Sequence, residues 1–564
     1  MREWLRETHG AKFELARHFL LRFFDSDVIT TPGEFARPLI GVFSLLLPWF
    51  PLLMGGLKHK YMHFSSLAVP GPYREALRAD ELWLLTLMMS AIGLLTAIKW
   101  QSLFPSLRDY RALGSLPLRA GQIFGAKLAV LLSLTTAAVV VLNLAPSLSF
   151  PTLSSSRWAI NPSVGARVAA QAGACVAACY FFFFALVALQ GLLLNLLRPR
   201  LFGRVAGSLQ GLLVAAMLIL MVLSFSIQAQ VTNAALRPEL ARWLPPVWFL
   251  GLDQALMGDR DAAMQALAHR AEAALAMAVV LALGTYAISY GRHRELLVEG
   301  MAAQRKKRRW IGGLFDWLVR DPRQQAVMVF LTKTLAGSSQ HRMILMGYGG
   351  FGVAILLSGL IGIGSVVEPA KVPAACFIYA HTTLIVFLLI GLRHLFSLPT
   401  ELKANWMFQI TEGEGRRQWL RAVDRFVFFW GALLMLVIPF PLEARLLGWR
   451  AVGEAGLIVA AGLLGYEWSF SSWEKMPFTC SYLPGRTEAW LIVLRLIGLL
   501  AALQLANALL LACLYHWVVF VIVMVVVGGV WARVRGMRRE WWGEMRLRYD
   551  EVPDPLVHGL NLMR

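Results

Sequence analysis

The residues with chemical potential in this chain are few and scattered. His59 and His63 stand four apart, so on a helix they share a face and make half of a metal site. No carboxylate stands close by in sequence to complete it, and no metal is expected. Cys175 and Cys179 share the same spacing inside an apolar run and read as small core residues. The five cysteines follow no zinc-ligand or disulfide pattern. Cys480, flanked by Pro477 and Pro484 in a stretch the prolines keep from being helical, reads as a small neutral turn residue. His381 is the deepest ionisable residue in the apolar runs, and one histidine makes no proton relay. The chain lacks a Gly-x-x-x-x-Gly-Lys-Ser/Thr phosphate loop, a Gly-x-Ser-x-Gly elbow and a His-Glu-x-x-His helix. No catalytic residues and no cofactor are therefore expected in this chain.

The stretch Ser106–Lys127, SLRDYRALGSLPLRAGQIFGAK, is different in kind. It is a basic interruption between two long apolar runs. Ser106 and Asp109 have capping-box spacing and Pro117 stops what they open, so the spacing predicts a short helix over Leu107–Leu116. Leu107, Tyr110 and Leu113 fall on one side of it, and Arg108 and Arg111 on the other. A short helix between two membrane spans is a place where a soluble partner can push. An ordinary charged loop obeying topology rules accounts for the same pattern.

The run Asp109, Leu113, Leu116, Pro117, Ile123, Lys127 resembles the cytoplasmic loop after the second span in permeases of ABC type-2 exporters. There an acidic residue precedes a Leu-x-x-Leu-Pro step, then an Ile and a Lys entering the next span. The resemblance implies a permease that docks a separate ATPase subunit, which would carry the ATP and Mg. It also implies that Asp109, Arg111, Leu113, Leu116 and Pro117 form the coupling contact. Residues 11–24 are similar to the interfacial helix ahead of the first span in that family. Phe13, Leu15, Phe19, Leu20 and Phe23 lie on one face, and Glu14, Arg17, His18 and Arg22 on the other. A helix packed on the protein's own cytosolic side fits the same pattern.

These residues need elements to position them. With 57% hydrophobic residues over 564 positions and a mean hydropathy of +0.59, the chain is too apolar for a soluble protein of its length. It reads as an all-α polytopic membrane protein. The net charge of +20 is spread between apolar runs and forms no single patch, which excludes nucleic acid as the partner. The N-terminus MREWLRETHG has neither the apolar core nor the cleavage site of a signal peptide.

Apolar runs at 39–57, 81–98, 124–145, 168–197, 205–228, 271–290, 343–366, 374–396, 426–442, 451–469, 490–512 and 514–532 predict twelve spans. The fourth is overlong, tilted or broken; the ninth is short. With the N-terminus inside, 41 of the 54 Lys and Arg fall on inside segments and 13 on outside ones. That excess predicts cytoplasmic termini. The expected organisation is an interfacial N-terminus (1–38), a six-span half (39–290), a basic linker (291–342), a second six-span half (343–532) and a tail (533–564). Leu103-Phe104 and Leu395-Phe396 occupy similar places in the two halves, a weak parallel duplication. One chain carrying both halves of a transporter, or one large half that dimerises, would suit it.

The second inner loop, 398–425, carries Trp406, Phe408 and Trp419 among charges. Exposed aromatics there suit a second coupling loop or a helix at headgroup level. The run Arg305–Arg309, RKKRR, reads as a topology anchor, with a grip on anionic membrane lipid as the sharper alternative. Seven glycines between Gly347 and Gly364 predict close helix packing. Polar residues inside the spans are few, Gln171, Gln190, His381, Arg393, Gln504 and Asn507, and the scarcity of charge among them speaks mildly against an ion-coupled carrier. The expected function is the permease of an ATP-driven exporter in a bacterial inner membrane. The alternatives are a proton-coupled carrier of the major facilitator kind and a membrane scaffold or lipid-handling protein. The facilitator loop pattern of Gly, then Asp-Arg, then Gly-Arg is not matched by Arg108-Asp109-Tyr110-Arg111.

Overall fold

Hydrocarbon offers the backbone no hydrogen-bond partners, so an apolar run that enters it folds as a helix whose amides and carbonyls satisfy one another. The computed structural model describes residues 10, 13–20, 55–104, 113, 120–197, 199–230, 243–302, 319–400, 405, 408, 410, 416–471, 473–480 and 489–544. Helix makes up 88% of the structure and no strand occurs among the described residues. Ten described helices are long and apolar enough to cross a bilayer. The run 39–57 lies outside the described residues except at its end. The chain divides into two units, Met1–Arg305 and Lys306–Arg564, with the boundary inside RKKRR.

The first unit contains α1 (Gly71–Ile98), α2 (Ala120–Leu153), α3 (Val164–Leu196), α4 (Pro199–Gln230), α5 (Pro245–Met257) and α6 (Ala262–Ala302). α1 is its centre. Trp83, Leu84, Met88 and Ile92 pack with Leu131 and Val139 of α2, with Phe183 and Val187 of α3 and with Tyr286 of α6. α3 is one unbroken helix, started by Ser163, whose side chain accepts from the Ala166 amide. That resolves the overlong fourth run. Several expected loops are helical instead: α1 begins at Gly71, α2 continues past Pro146 and Pro151, and α6 runs to Ala302 into the range expected as linker. The 13-residue α5 lies where a loop was expected. Pro245 and Pro246 open it and Gly258, at φ 95°, closes it in the left-handed conformation that suits glycine. At Gly251 an added Cβ would come within 2.8 Å of the Met264 carbonyl oxygen, so glycine is what lets α5 lie directly on α6.

The connections assigned to one side of the first unit meet at one end of it. Tyr73 donates to the Ser154 carbonyl at 2.7 Å. Trp158 Nε1 and Arg157 donate to the Leu67 carbonyl, and Asn161 to that of Met257.

The second unit contains α7 (Pro322–Gly337), α8 (Ser339–Val366), α9 (Val372–Ser397), α10 (Arg416–Ala432), α11 (Phe440–Leu447), α12 (Arg450–Phe470), α13 (Ala489–Tyr515) and α14 (Trp517–Glu544). A π-helical turn at Leu433–Val437 joins α10 to α11. The short ninth run thus becomes a longer apolar stretch, Arg417–Leu447. α12 fills the run 451–469 but is not among the ten apolar helices, because it carries Glu454 and Glu467. The glycine seam is real at Gly352, which faces Phe387, and at Gly359, which faces the Tyr379 ring, so α8 and α9 approach closely. Gly349 has open space. The connections after α9 and after α12 bond to each other: Phe478 donates its amide to the Phe396 carbonyl and Thr400 to that of Phe478.

Candidate functional site

The coupling loop is described only at Leu113; Asp109, Arg111, Leu116 and Pro117 lie outside the described residues. Leu113 is buried, and its neighbours are informative. It shares an apolar cluster with Leu15 and Phe19 of the N-terminal helix and with Ile123, Ala126 and Val130 at the head of α2. Lys127 Nζ lies 5.0 Å from the centre of the Phe19 ring, a cation–π distance. Sequence amphipathicity put Leu15, Phe19 and Leu20 on one face. Leu15 and Phe19 are buried against the protein, whereas Leu20 is exposed. Arg17 faces out beside Glu14, 3.5 Å away.

The second loop corrects an expectation. Trp419 is buried, not exposed: it lies in the first turns of α10, in a core it shares with Val327 and Leu331 of α7. Phe408 is half-buried against Phe330 and Trp419, at ring separations of 5.2 and 6.0 Å. Trp406 lies outside the described residues. Cys480 is buried, as are Cys175 and Cys179, and none of the five cysteines is in a disulfide.

Buried charge is the feature that sequence reading missed. Near the start of α1, Lys60 Nζ lies 2.8 Å from both Asp80 oxygens, and the Tyr61 hydroxyl donates to Asp80 at 2.7 Å. Burial, reinforced by the Asp80 charge, pushes the Tyr61 phenol well up. Arg78 pairs with Asp259 at 2.9 Å. Next to Asp80 in sequence, Glu81 accepts from Gln254 Nε2 of α5. The neighbouring Asp253 is wholly buried, and neither of its oxygens has a hydrogen-bond partner among the described residues. Burial pushes the Asp253 carboxyl up to about 8. Glu81 also lines a small cavity with Arg167 and Gln171. Arg167 Nη2 donates to Ser155 at 2.6 Å, while its Nε and Nη1 find no hydrogen-bond partner among the described residues. This group of side chains can hold a proton and orient a water-sized guest.

The second unit has two such groups. At one end, Arg535 bridges Asp424 (2.6 Å) and Glu467 (2.9 Å), and Arg538 bridges the same two carboxylates (3.3 and 2.9 Å). Tyr466 donates to Asp424, and the Arg538 guanidinium lies over the Tyr466 and Trp542 rings at 5.2 and 4.9 Å. Two cations thus face two anions and tie α10, α12 and α14 together. Elsewhere in the unit, His381 of α9 stands between Glu443 of α11 and Glu454 of α12. Among the described residues, these three have donor atoms that could converge on a metal ion.

The expected scarcity of charge inside the apolar helices is therefore corrected. Glu81, Arg167, Asp424 and Arg538 of those helices are all less than a tenth exposed, and so are Glu454 and Glu467 of α12. A sequence signal existed for Glu454 and Glu467, which stand inside an apolar run. His381, the partner of Glu454, was also visible in an apolar run, but nothing in the sequence joined it to Glu454, or Arg535 and Arg538 to Glu467, because the partners come from other helices.

Helix content, apolar length and buried polar clusters define an all-α, multi-pass membrane protein. No family model matches the chain, and neither does any curated protein or solved structure.

Proposed function

We propose that this chain is the membrane permease of an ATP-driven exporter of the ABC type-2 kind, coupled to a separate ATPase subunit through the loop at Ser106–Lys127. The observation that carries the reading is the packing of the N-terminal helix on Leu113 and on the head of α2. A push on the loop then reaches both a helix suited to the membrane surface and the span that follows it. On this reading the chain has twelve spans in two six-helix halves with cytoplasmic termini, and resides in a bacterial inner membrane. Lys and Arg distribution supports that sidedness.

Co-purification tests it. The full chain, tagged at its C-terminus and extracted in mild detergent, brings down a P-loop ATPase. Arg111→Glu and Leu116→Asp abolish that recovery while the protein still inserts. Recovery of the ATPase undiminished by both changes refutes the loop assignment. A second reading, proton-coupled carriage, draws on the buried carboxylates in the apolar helices. It requires uptake into liposomes driven by a pH gradient with no ATPase present.

A further inference from the structure

We propose that His381, Glu443 and Glu454 form a binding site for one divalent transition-metal ion. The three residues come from three elements, α9, α11 and α12, and are 4%, 1% and 0% exposed. Their donor atoms all lie within 4.8 Å of one another. His381 Nδ1 is 2.9 Å from Glu454 Oε1, and His381 Nε2 is 3.1 Å from Glu443 Oε1.

Two observations point to a cation as the ligand of this cluster. The first is hydrogen bonding. Oε2 of Glu443 and Oε2 of Glu454 are buried without a hydrogen-bond partner among the described residues. A buried carboxylate left in that condition is strongly disfavoured unless a charge or a donor meets it. The second is charge. A protonated histidine supplies one positive charge against two carboxylates. No described Arg or Lys forms an ion pair with either glutamate; Arg450 and Lys371, from the adjoining turns, lie instead over the Tyr515 ring at 4.6 and 5.5 Å. A divalent cation with a neutral imidazole and two carboxylates sums to zero.

The donor set also selects the ion. One imidazole nitrogen with two carboxylate oxygens suits zinc, cobalt or manganese. Ligand atoms around such an ion sit about 3.3 Å apart, given bonds of about 2.0–2.1 Å. Rotation of the two glutamate side chains closes the remaining gap. Three protein ligands leave a coordination position open. The π turn and Pro439 just ahead of α11 redirect the chain so that Glu443 reaches this place. The proposal is independent of ATPase coupling.

The test uses the full chain in detergent, stripped with chelator and then titrated with Zn2+ and, separately, Co2+. Expected are one equivalent of zinc per chain by equilibrium dialysis and a Co2+ visible spectrum of nitrogen and oxygen ligation. His381→Gln and Glu454→Gln should each weaken binding at least tenfold, while His59→Gln with His63→Gln leaves it unchanged. Zinc should raise the melting temperature of the parent protein and not that of Glu454→Gln, which separates loss of the site from loss of the fold. Three outcomes overturn the proposal: no binding at micromolar zinc, binding that survives both substitutions, or a Co2+ spectrum with thiolate bands that moves the ion to cysteine.

Discussion

Replacing Arg538 by Met tests whether the C-terminal end of α14 is locked to α10 and α12 by charge. Arg538 is 6% exposed, and each of its two carboxylate partners is 2% exposed. The change leaves Arg535 alone to face Asp424 and Glu467, so two anions share one cation in a water-poor place. Removing one member of a buried pair costs about 3–5 kcal/mol. Loss of the guanidinium from the Tyr466 and Trp542 rings adds about 1 kcal/mol. The assay is the unfolding of purified protein by increasing mole fraction of denaturing detergent, with Arg539→Met as control, since Arg539 is exposed on the same helix. The control should shift stability by no more than about 0.5 kcal/mol. Adding Glu467→Gln to Arg538→Met should recover part of the loss, because one cation then faces one anion. Equal effects of Arg538→Met and Arg539→Met, or no recovery in the double variant, would refute the idea that charge balance holds these helices together.

Three further outcomes follow from the structure. Phe19→Ala empties a wholly buried position and removes the ring beneath Lys127, so the N-terminal helix should lose about 3–5 kcal/mol of attachment, read as new protease sensitivity within residues 13–20. Gly251→Ala pushes a Cβ against the backbone of α6, which has little room to yield, and should destabilise by about 1–3 kcal/mol in the same detergent assay, whereas Gly284→Ala, with nothing within 4 Å, should not. Asp253 gives a pH dependence. Its carboxyl stays protonated in the folded protein up to about 8 but ionises near 4 once unfolded. Below pH 4 both states are protonated; as pH rises toward 8 only the unfolded state gains the charge, so stability falls across that window and levels off above it. Asp253→Asn should therefore flatten the decline in melting temperature between pH 5 and 8.

Much of the helix layout was legible because length and hydropathy alone decide which segments suit hydrocarbon. The run 205–228, for example, lies within α4, and the last two runs, 490–512 and 514–532, correspond to α13 and α14. Three features were not legible, for different reasons. α5 is too short to register as a span, although Pro245, Pro246 and Gly258 mark both its ends. Trp419 stands among charges in sequence but turns inward, because α7 supplies an apolar face that hydropathy cannot place beside it. His381 looked solitary because Glu454 is 73 residues away along the chain. Hydropathy reports how apolar a segment is, and not which neighbour it meets; the buried clusters are made almost wholly of such meetings.

The division of this single chain into two units, each with its own buried polar groups, bears on how it can evolve. In a membrane protein built from two copies of one chain, each substitution lands twice, and a residue useful on one side is imposed on the other. Here Glu81 and Asp253 belong to one unit, and His381, Glu443 and Glu454 to the other. Each set can drift, specialise or be lost by itself. Both units are also made in equal number from one message, so asymmetry needs no mechanism for sorting unlike subunits.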